Sequence, residues 1–227
     1  MEILKKIKDV ISAIVSKDDE ECSRIEKMSP SEFAKVAEQL RIGREIPKSI
    51  ILFEYSSPIV RKAVWEIKFR GNRRIAKIIA ELLYDELVEK LSEEKLWGNA
   101  PRSFSEVGPI LLPIPISSKR RRERGWNQCE IIAEELQKLD KGENFEFRKN
   151  ILIKNKNTGD QVGRGRAARL KNLENSFSIK DENTVRDRFV IVLDDVITTG
   201  ATIEEARRVL RSLGVAGQNI LFLAIAH

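Results

Sequence analysis

The fold class that this 227-residue sequence predicts is α/β: a mainly parallel central sheet flanked by helices, preceded by an N-terminal helical segment. Three observations carry that expectation. From Pro109 onward, short apolar runs alternate with helix-length amphipathic stretches, the pattern of βαβ units. Phe189–Leu193 is apolar without a break, as a strand buried on both faces requires. Residues 1–48 show helical periodicity and helix punctuation only, so they separate from an α/β domain over residues 49–227.

In order along the chain, Met1–Ser16 carries Ile3, Leu4, Ile7, Val10, Ile11, Ile14 and Val15 at helical spacing with lysines between them, an amphipathic helix rather than a signal peptide. Ser29-Pro30-Ser31-Glu32 is a helix start: Ser29 caps, Pro30 fits the first position and Glu32 completes a capping box. This helix runs to about Leu40, before Gly43 and Pro47. Ser49–Glu54 reads as a strand, and Pro58 opens a helix through Phe69. Gly71 interrupts, and Arg74–Leu91 forms a longer helix. Residues 98–109 read as a loop. Pro109–Ile114 is strand-like, residues 115–125 a basic loop, and Trp126–Leu139 a helix with Ile131, Ile132, Leu136 and Leu139 on one face. Phe145–Ile153 is a strand candidate, followed by a polar loop over 154–165 and a short helix to about Leu173. Phe189–Leu193, Ala201–Leu213 and Asn219–Ala226 close the chain as strand, helix and strand.

Composition narrows the chemistry. Hydrophobic residues make up 41%, enough for a packed core. No apolar run approaches the roughly 20 residues of a membrane-spanning helix, and no membrane partner is expected. Two cysteines, Cys22 and Cys129, stand far apart, so neither a disulfide framework nor a zinc site is expected. With no secretion signal, a cytoplasmic location is expected. The one histidine is His227, the last residue. Histidine-based acid–base or metal chemistry is therefore not expected. A net charge of +6 suits anionic ligands.

The segment Val190–Thr202 carries the chemistry. An apolar strand ends in two adjacent carboxylates, Asp194 and Asp195, and a small loop leads into a helix. Ligands of open α/β sheets bind at such strand ends. Thr198 and Thr199 offer hydroxyls, Gly200 permits close backbone approach, and the helix start at Ala201 and Thr202 presents free N–H groups to a phosphate dianion. Asp194 and Asp195 suit a ribose diol or Mg²⁺ instead of that phosphate. A sugar phosphate satisfies both halves. Turn and N-cap roles are the alternative for each residue taken singly.

This segment resembles the 5-phosphoribosyl-1-pyrophosphate (PRPP) motif of type I phosphoribosyltransferases. In that family the acidic pair grips the ribose hydroxyls and the following loop holds the 5′-phosphate. Further stretches resemble the ComF-like competence proteins: Tyr55-Ser56-Ser57-Pro58 leading to Lys68-Phe69-Arg70-Gly71; Pro113–Ser117 followed by Lys119–Gln128; and Gln161 with Arg166, Arg169, Asn172 and Phe177. The resemblance spans about residues 50–227 and implies a phosphoribosyltransferase-like domain over 49–227. It departs at the N-terminus, where the family commonly carries a four-cysteine zinc ribbon, and at Trp126, where Phe or Tyr is usual.

Further roles follow as implications of the resemblance. Pro115, Ile116, Ser117, Ser118 and Lys119 would bind pyrophosphate. Arg120, Arg121, Arg122 and Trp126 would form a mobile basic loop, and Arg124 would join Asp194 and Asp195 in catalysis. Mg²⁺ would arrive with PRPP near the two aspartates. Lys119–Arg124 places five basic residues and one glutamate in six positions. It reads as a substrate loop, a solvated face or a grip on single-stranded DNA with Trp126 stacking on a base. Lys68, Arg70, Arg73 and Arg74 form a second basic cluster. Arg164, Arg166 and Arg169 either close over ligand or solubilise their loop. Gly163 and Gly165 do not make a dinucleotide fingerprint. Two functions follow: phosphoribosyl transfer to a nitrogenous acceptor with release of pyrophosphate, or a non-catalytic PRPP- or nucleotide-binding module of the competence machinery that contacts single-stranded DNA. A homodimer is compatible with either.

Overall fold

The structure, a computed structural model, describes residues 18–38, 46, 48–96, 104, 107–155 and 176–227. The helix expected over Met1–Ser16, Gly43 and Pro47, most of the 98–109 loop, and the loop and short helix from 156 to Leu173 lie outside them. So do Gln161, Gly163, Arg164, Gly165, Arg166, Arg169 and Asn172. The helix expected to run to about Leu40 ends at Ala37, where Glu38 turns left-handed at φ 56°.

Helix α1 covers residues 18–26 of the described chain. The capping box at Ser29 forms as expected: its Oγ accepts from Glu32 N, and Glu32 reaches back to Ser29 N at 2.8 Å. Helix α2 is Pro30–Ala37. Strand β1 is Ser49–Phe53, and helix α3, Pro58–Trp65, passes into a π-helical turn over Glu66–Arg70. Helix α4 is Arg73–Leu96, started by the Asn72 side chain, which accepts from the N–H groups of Arg74 and Ile75. Then follow β2 (Ile110–Pro113), α5 (Ser118–Arg124), α6 (Gln128–Asp140), β3 (Glu146–Phe147), β4 (Leu152–Lys154), β5 (Phe177–Ile179), β6 (Val190–Val196), α7 (Ala201–Ser212) and β7 (Ile220–Ala226).

Five strands form one parallel sheet in the order β1-β7-β6-β2-β3. The three inner strands are buried along nearly their whole length, because parallel strands covered on both faces tolerate only apolar side chains. Strands β4 and β5 pair antiparallel as a separate ribbon. Helices α4 and α6 pack together against the sheet, with Ile79, Leu83, Leu87, Ile132 and Leu136 buried between them and the strands.

Two further expectations are corrected. The basic loop is helical over Ser118–Arg124, because Ser117 supplies an N-cap, accepting from Arg120 N at 3.3 Å, and Gly125 ends the helix at φ 85°. The strand candidate Phe145–Ile153 divides into β3 and β4, separated by a turn in which Asn150 has φ 66°.

The topology fixes the place of the site. The chain runs from β2 through α6 outward to β3, and from β6 through α7 the opposite way to β7. Adjacent β2 and β6 are thus the point where the connections diverge. The right-handed crossover rule sends α6 and α7 to opposite faces, leaving a crevice beyond the carboxyl ends of these two strands.

Candidate functional site

Asp194 and Asp195 stand at that crevice, within β6 itself, since Asp194 and Val196 still pair with Ala224 and Ala226 of β7. Both are buried, 8% and 7% exposed. Their surroundings differ. Asp194 Oδ1 accepts from Asp195 N at 2.9 Å and lies 3.9 Å from the Cys129 thiol. Asp195 Oδ2 accepts from Gln128 Nε2 at 3.2 Å and faces Lys68 Nζ at 3.6 Å. Burial, then the adjacent Asp195 carboxylate, pushes the Asp194 pKa well above 3.8. Burial and both aspartates push the Cys129 thiol up as well, so it stays protonated and unreactive.

The α7 N-terminus lies directly downstream. Gly200 is its N-cap in the left-handed region at φ 77°, and no side chain caps the helix. The first N–H groups of a 12-residue helix are thus left for an incoming acceptor, with the positive end of its dipole behind them. Thr198 is exposed, Thr199, Gly200 and Thr202 are half-buried, and Ala201 is buried. Ile197, buried beneath this loop, donates its N–H to Ala226 O and fixes where the loop begins.

Across the crevice, Ile114 N bonds Leu193 O at 2.8 Å, so the Pro115–Ser118 segment leaves β2 beside the acid pair. Pro115, Ile116 and Ser118 line a cavity of about 400 Å³ together with Arg121, Arg122 and Lys154. Ser117 is buried and committed to capping α5; Lys119 is exposed and 3.8 Å from Glu123. Arg121 is held by Glu130 at 2.7 Å. Burial and the nearby Arg120 guanidinium lower the Lys154 pKa, while Asp194 partly offsets them. Arg124 donates to Gln128 Oε1 at 3.5 Å and stacks on Phe69, 4.7 Å from its ring centre.

Trp126, expected in the basic loop, is tied down. Its Nε1 donates to Ile67 O at 3.2 Å, and its ring covers Gly71. The ring that was to stack on a base therefore braces the turn that carries Lys68. In the second basic cluster, Arg70 pairs with Asp18, Asp19 and Glu66, and Arg73 with Glu134 and Glu135. Only Lys68 of that cluster reaches the acid pair.

Three contributors escaped the sequence reading: Gln128, Cys129 and Lys154. Gln128 and Cys129 are the first residues of α6, and the Asn127 cap that starts the helix aims them at β6. Their place after a cap was the one available signal. Lys154 sits on a three-residue strand that periodicity does not resolve. A larger cavity of about 560 Å³ opens near Pro109, Phe145 and Glu146, at the amino ends of β2 and β3. None of the predicted site residues borders it, and open parallel sheets bind ligands at the other end.

No family model matches the chain. It is 29% identical to Competence protein F of Haemophilus influenzae over 180 residues, 79% of this chain and 73% of that protein. It is 24% identical to DNA utilization protein YhgH of Escherichia coli over 171 residues, 75% of this chain and 69% of that protein. With Competence protein ComFC of Bacillus subtilis the identity is 30% over 177 residues, 71% of this chain and 69% of that protein. The chain belongs to the ComF-like competence protein family. Among the described residues no helix is long and apolar enough to cross a membrane.

Proposed function

We propose that this ComF-like protein is a binding module for PRPP or a related phosphoribosyl ligand, acting in DNA uptake and use. The observation that carries the proposal is the pairing of two buried carboxylates with an uncapped helix N-terminus at the divergence point of a parallel sheet. The carboxylates accept hydrogen bonds from a ribose diol, and the α7 N–H groups with Thr198, Thr199 and Thr202 take the 5′-phosphate. The process is suggested by relatives named for competence and DNA utilization.

Asp194 and Asp195 also fit Mg²⁺: with Cys129, their ligand atoms lie within 4.8 Å of one another. Mg²⁺ is commonly held by one or two carboxylates plus ligand phosphates. Bound there with PRPP, it would supply charge neutralisation. The α5 face with Lys119, Arg120 and Arg122 is the surface proposed for single-stranded DNA.

A second reading, phosphoribosyl transfer, is favoured by the 400 Å³ cavity, whose Arg121, Arg122 and Lys154 suit a departing pyrophosphate. In that step the bond from ribose C1 to the pyrophosphate oxygen breaks, a bond from C1 to an acceptor nitrogen forms, and the nitrogen's proton passes to solvent.

Calorimetric titration with PRPP and Mg²⁺ tests the site. The double variant Asp194→Asn/Asp195→Asn is expected to lose on the order of 100-fold in affinity with its circular dichroism unchanged, since hydrogen bonds to charged groups contribute about 1.5–3 kcal/mol each. Undiminished affinity refutes the assignment. Pyrophosphate release with a panel of bases distinguishes transfer from binding alone.

A further inference from the structure

This inference rests on the binding role proposed for Asp194 and Asp195, and concerns how the Lys68 ammonium is held beside them. We infer that Glu66 is a positioning residue: with Asn72 it ties helix α1 to the π-helical turn, and this tie sets Lys68 against Asp195 and so belongs to the binding machinery.

Glu66 opens the turn and is fully buried. Neither of its carboxylate oxygens has a well-aligned hydrogen bond. Compensation comes from two cations, Lys62 Nζ at 3.0 Å and an Arg70 nitrogen at 3.4 Å. A buried ion pair of this kind adds little to stability, since desolvation of its members offsets their attraction. What it does well is fix a register, because removing one member strands a charge in the interior. A register needs fixing here. π-helical turns are rare, and they concentrate at functional sites.

The other half of the tie comes from α1. Asp18, Cys22 and Glu26 recur every four residues and so share one helix face. Asp18 pairs with Lys62 and, at 3.4 Å, with Arg70; Asp19 pairs with Arg70 at 3.2 Å. Both cations that compensate Glu66 are thus also gripped by α1. Just past the far end of the turn, the Asn72 amide works in two directions. Its oxygen accepts from Arg74 N and Ile75 N and starts α4. Its nitrogen donates to Glu26 Oε1 at 2.7 Å and lies 3.5 Å from Cys22 Sγ. Cys22 and Ile25 are buried, which anchors α1 to the core.

The turn is therefore clamped at its first residue and just beyond its last. Lys68 sits between the clamps, its Nζ 3.6 Å from Asp195 Oδ2. A lysine is a point charge on a flexible stem, so its place depends on where the backbone delivers it.

The test combines calorimetric titration of the full chain with PRPP and Mg²⁺ and native-state hydrogen exchange without ligand. Lys68→Met is expected to weaken binding about tenfold, the size of a lost charged contact. Glu66→Gln keeps the shape and removes the charge, and should weaken binding about three- to tenfold. The Glu66→Gln/Lys68→Met double variant should be no weaker than Lys68→Met alone, since a residue that acts through Lys68 then has nothing left to position. Asn72→Ser is the second variant: serine still caps α4 but has no amide to give Glu26, and it should lose affinity likewise. In Glu66→Gln and Asn72→Ser, exchange should rise about tenfold or more at the Gly71 and Asn72 amides, which close the turn on Ile67 O and Glu66 O, and stay unchanged in β6 and β7. Losses that multiply in the double variant would give Glu66 a general structural role and overturn the inference. So would undiminished affinity in Glu66→Gln, or unaltered exchange in both variants. Failure of the wild type to bind PRPP would overturn the site reading and the binding part of this inference, while the exchange result still decides the tie.

Discussion

Asp194 sets a conflict between stability and the binding role proposed for it. Its carboxyl group is buried against a second carboxylate, with one backbone N–H and a protonated thiol as partners. Burial and Asp195 raise its pKa well above 3.8 in the folded chain. From that value upward the folded state retains a proton the unfolded chain has released, so stability falls as pH rises through the window. Asp194→Asn removes the conflict. Its Tm should exceed that of wild type by a few degrees at pH 8 and match it near pH 4. A gain of the same size at both pH values would show that the charge is not the cause. Under the proposed binding role, stability gained there would cost ligand affinity. The adjacent carboxylates were plain in the sequence, because nothing in a buried strand asks for two of them. Gln128, Cys129 and Lys154 were not, because each arrives from a different element and no local pattern marks a residue by what it will face.

Among the elements, the turn from α3 to α4 carries Lys68 to the acid pair. Gly71 ends the π-helical segment at φ 63°, and a Cβ there would lie 3.0 Å from Trp126 Cε2. The Trp126 ring and its hydrogen bond to Ile67 O therefore depend on glycine at this position. Gly71→Ala combines a left-handed backbone cost of about 1–2 kcal/mol with a ring displacement. Denaturant unfolding should show a loss of about 1–3 kcal/mol, with altered tryptophan fluorescence. A loss below about 0.5 kcal/mol would mean the contact is readily relieved. The sequence marked Gly71 as a break but did not reveal the indole above it, 55 residues downstream. It also misread Ser118–Arg124 as a loop. Consecutive like charges disfavour a helix, yet the Ser117 cap, the Lys119–Glu123 pair and the Arg121–Glu130 bridge are enough to wind it.

Over the whole molecule, a net charge of +6 gives a basic protein whose arginines and lysines are largely matched by acids. Arg73, Arg121, Arg188 and Arg208 all lie in ion pairs, so the excess positive field is local and not uniform. If the α5 face binds single-stranded DNA, log affinity should fall linearly with log salt, and Arg120→Ala/Arg122→Ala should flatten the slope by about 1.4, at roughly 0.7 per lost phosphate contact. An unchanged slope would move the DNA surface elsewhere.

The sequence by itself determined the α/β class, the parallel strands, the position of most elements and the acid pair with the Thr198–Thr202 loop that follows it. Those features are written in local periodicity and in capping and turn residues, which act over a few neighbours. Only the tertiary structure decided which strand lies beside which. That order placed Asp194 and Asp195 at the divergence of β2 and β6 and brought Lys68, Arg124, Gln128 and Lys154 around them. The reason is that strand order and helix docking are settled by burial of the whole apolar surface at once, a quantity no short stretch of chain contains.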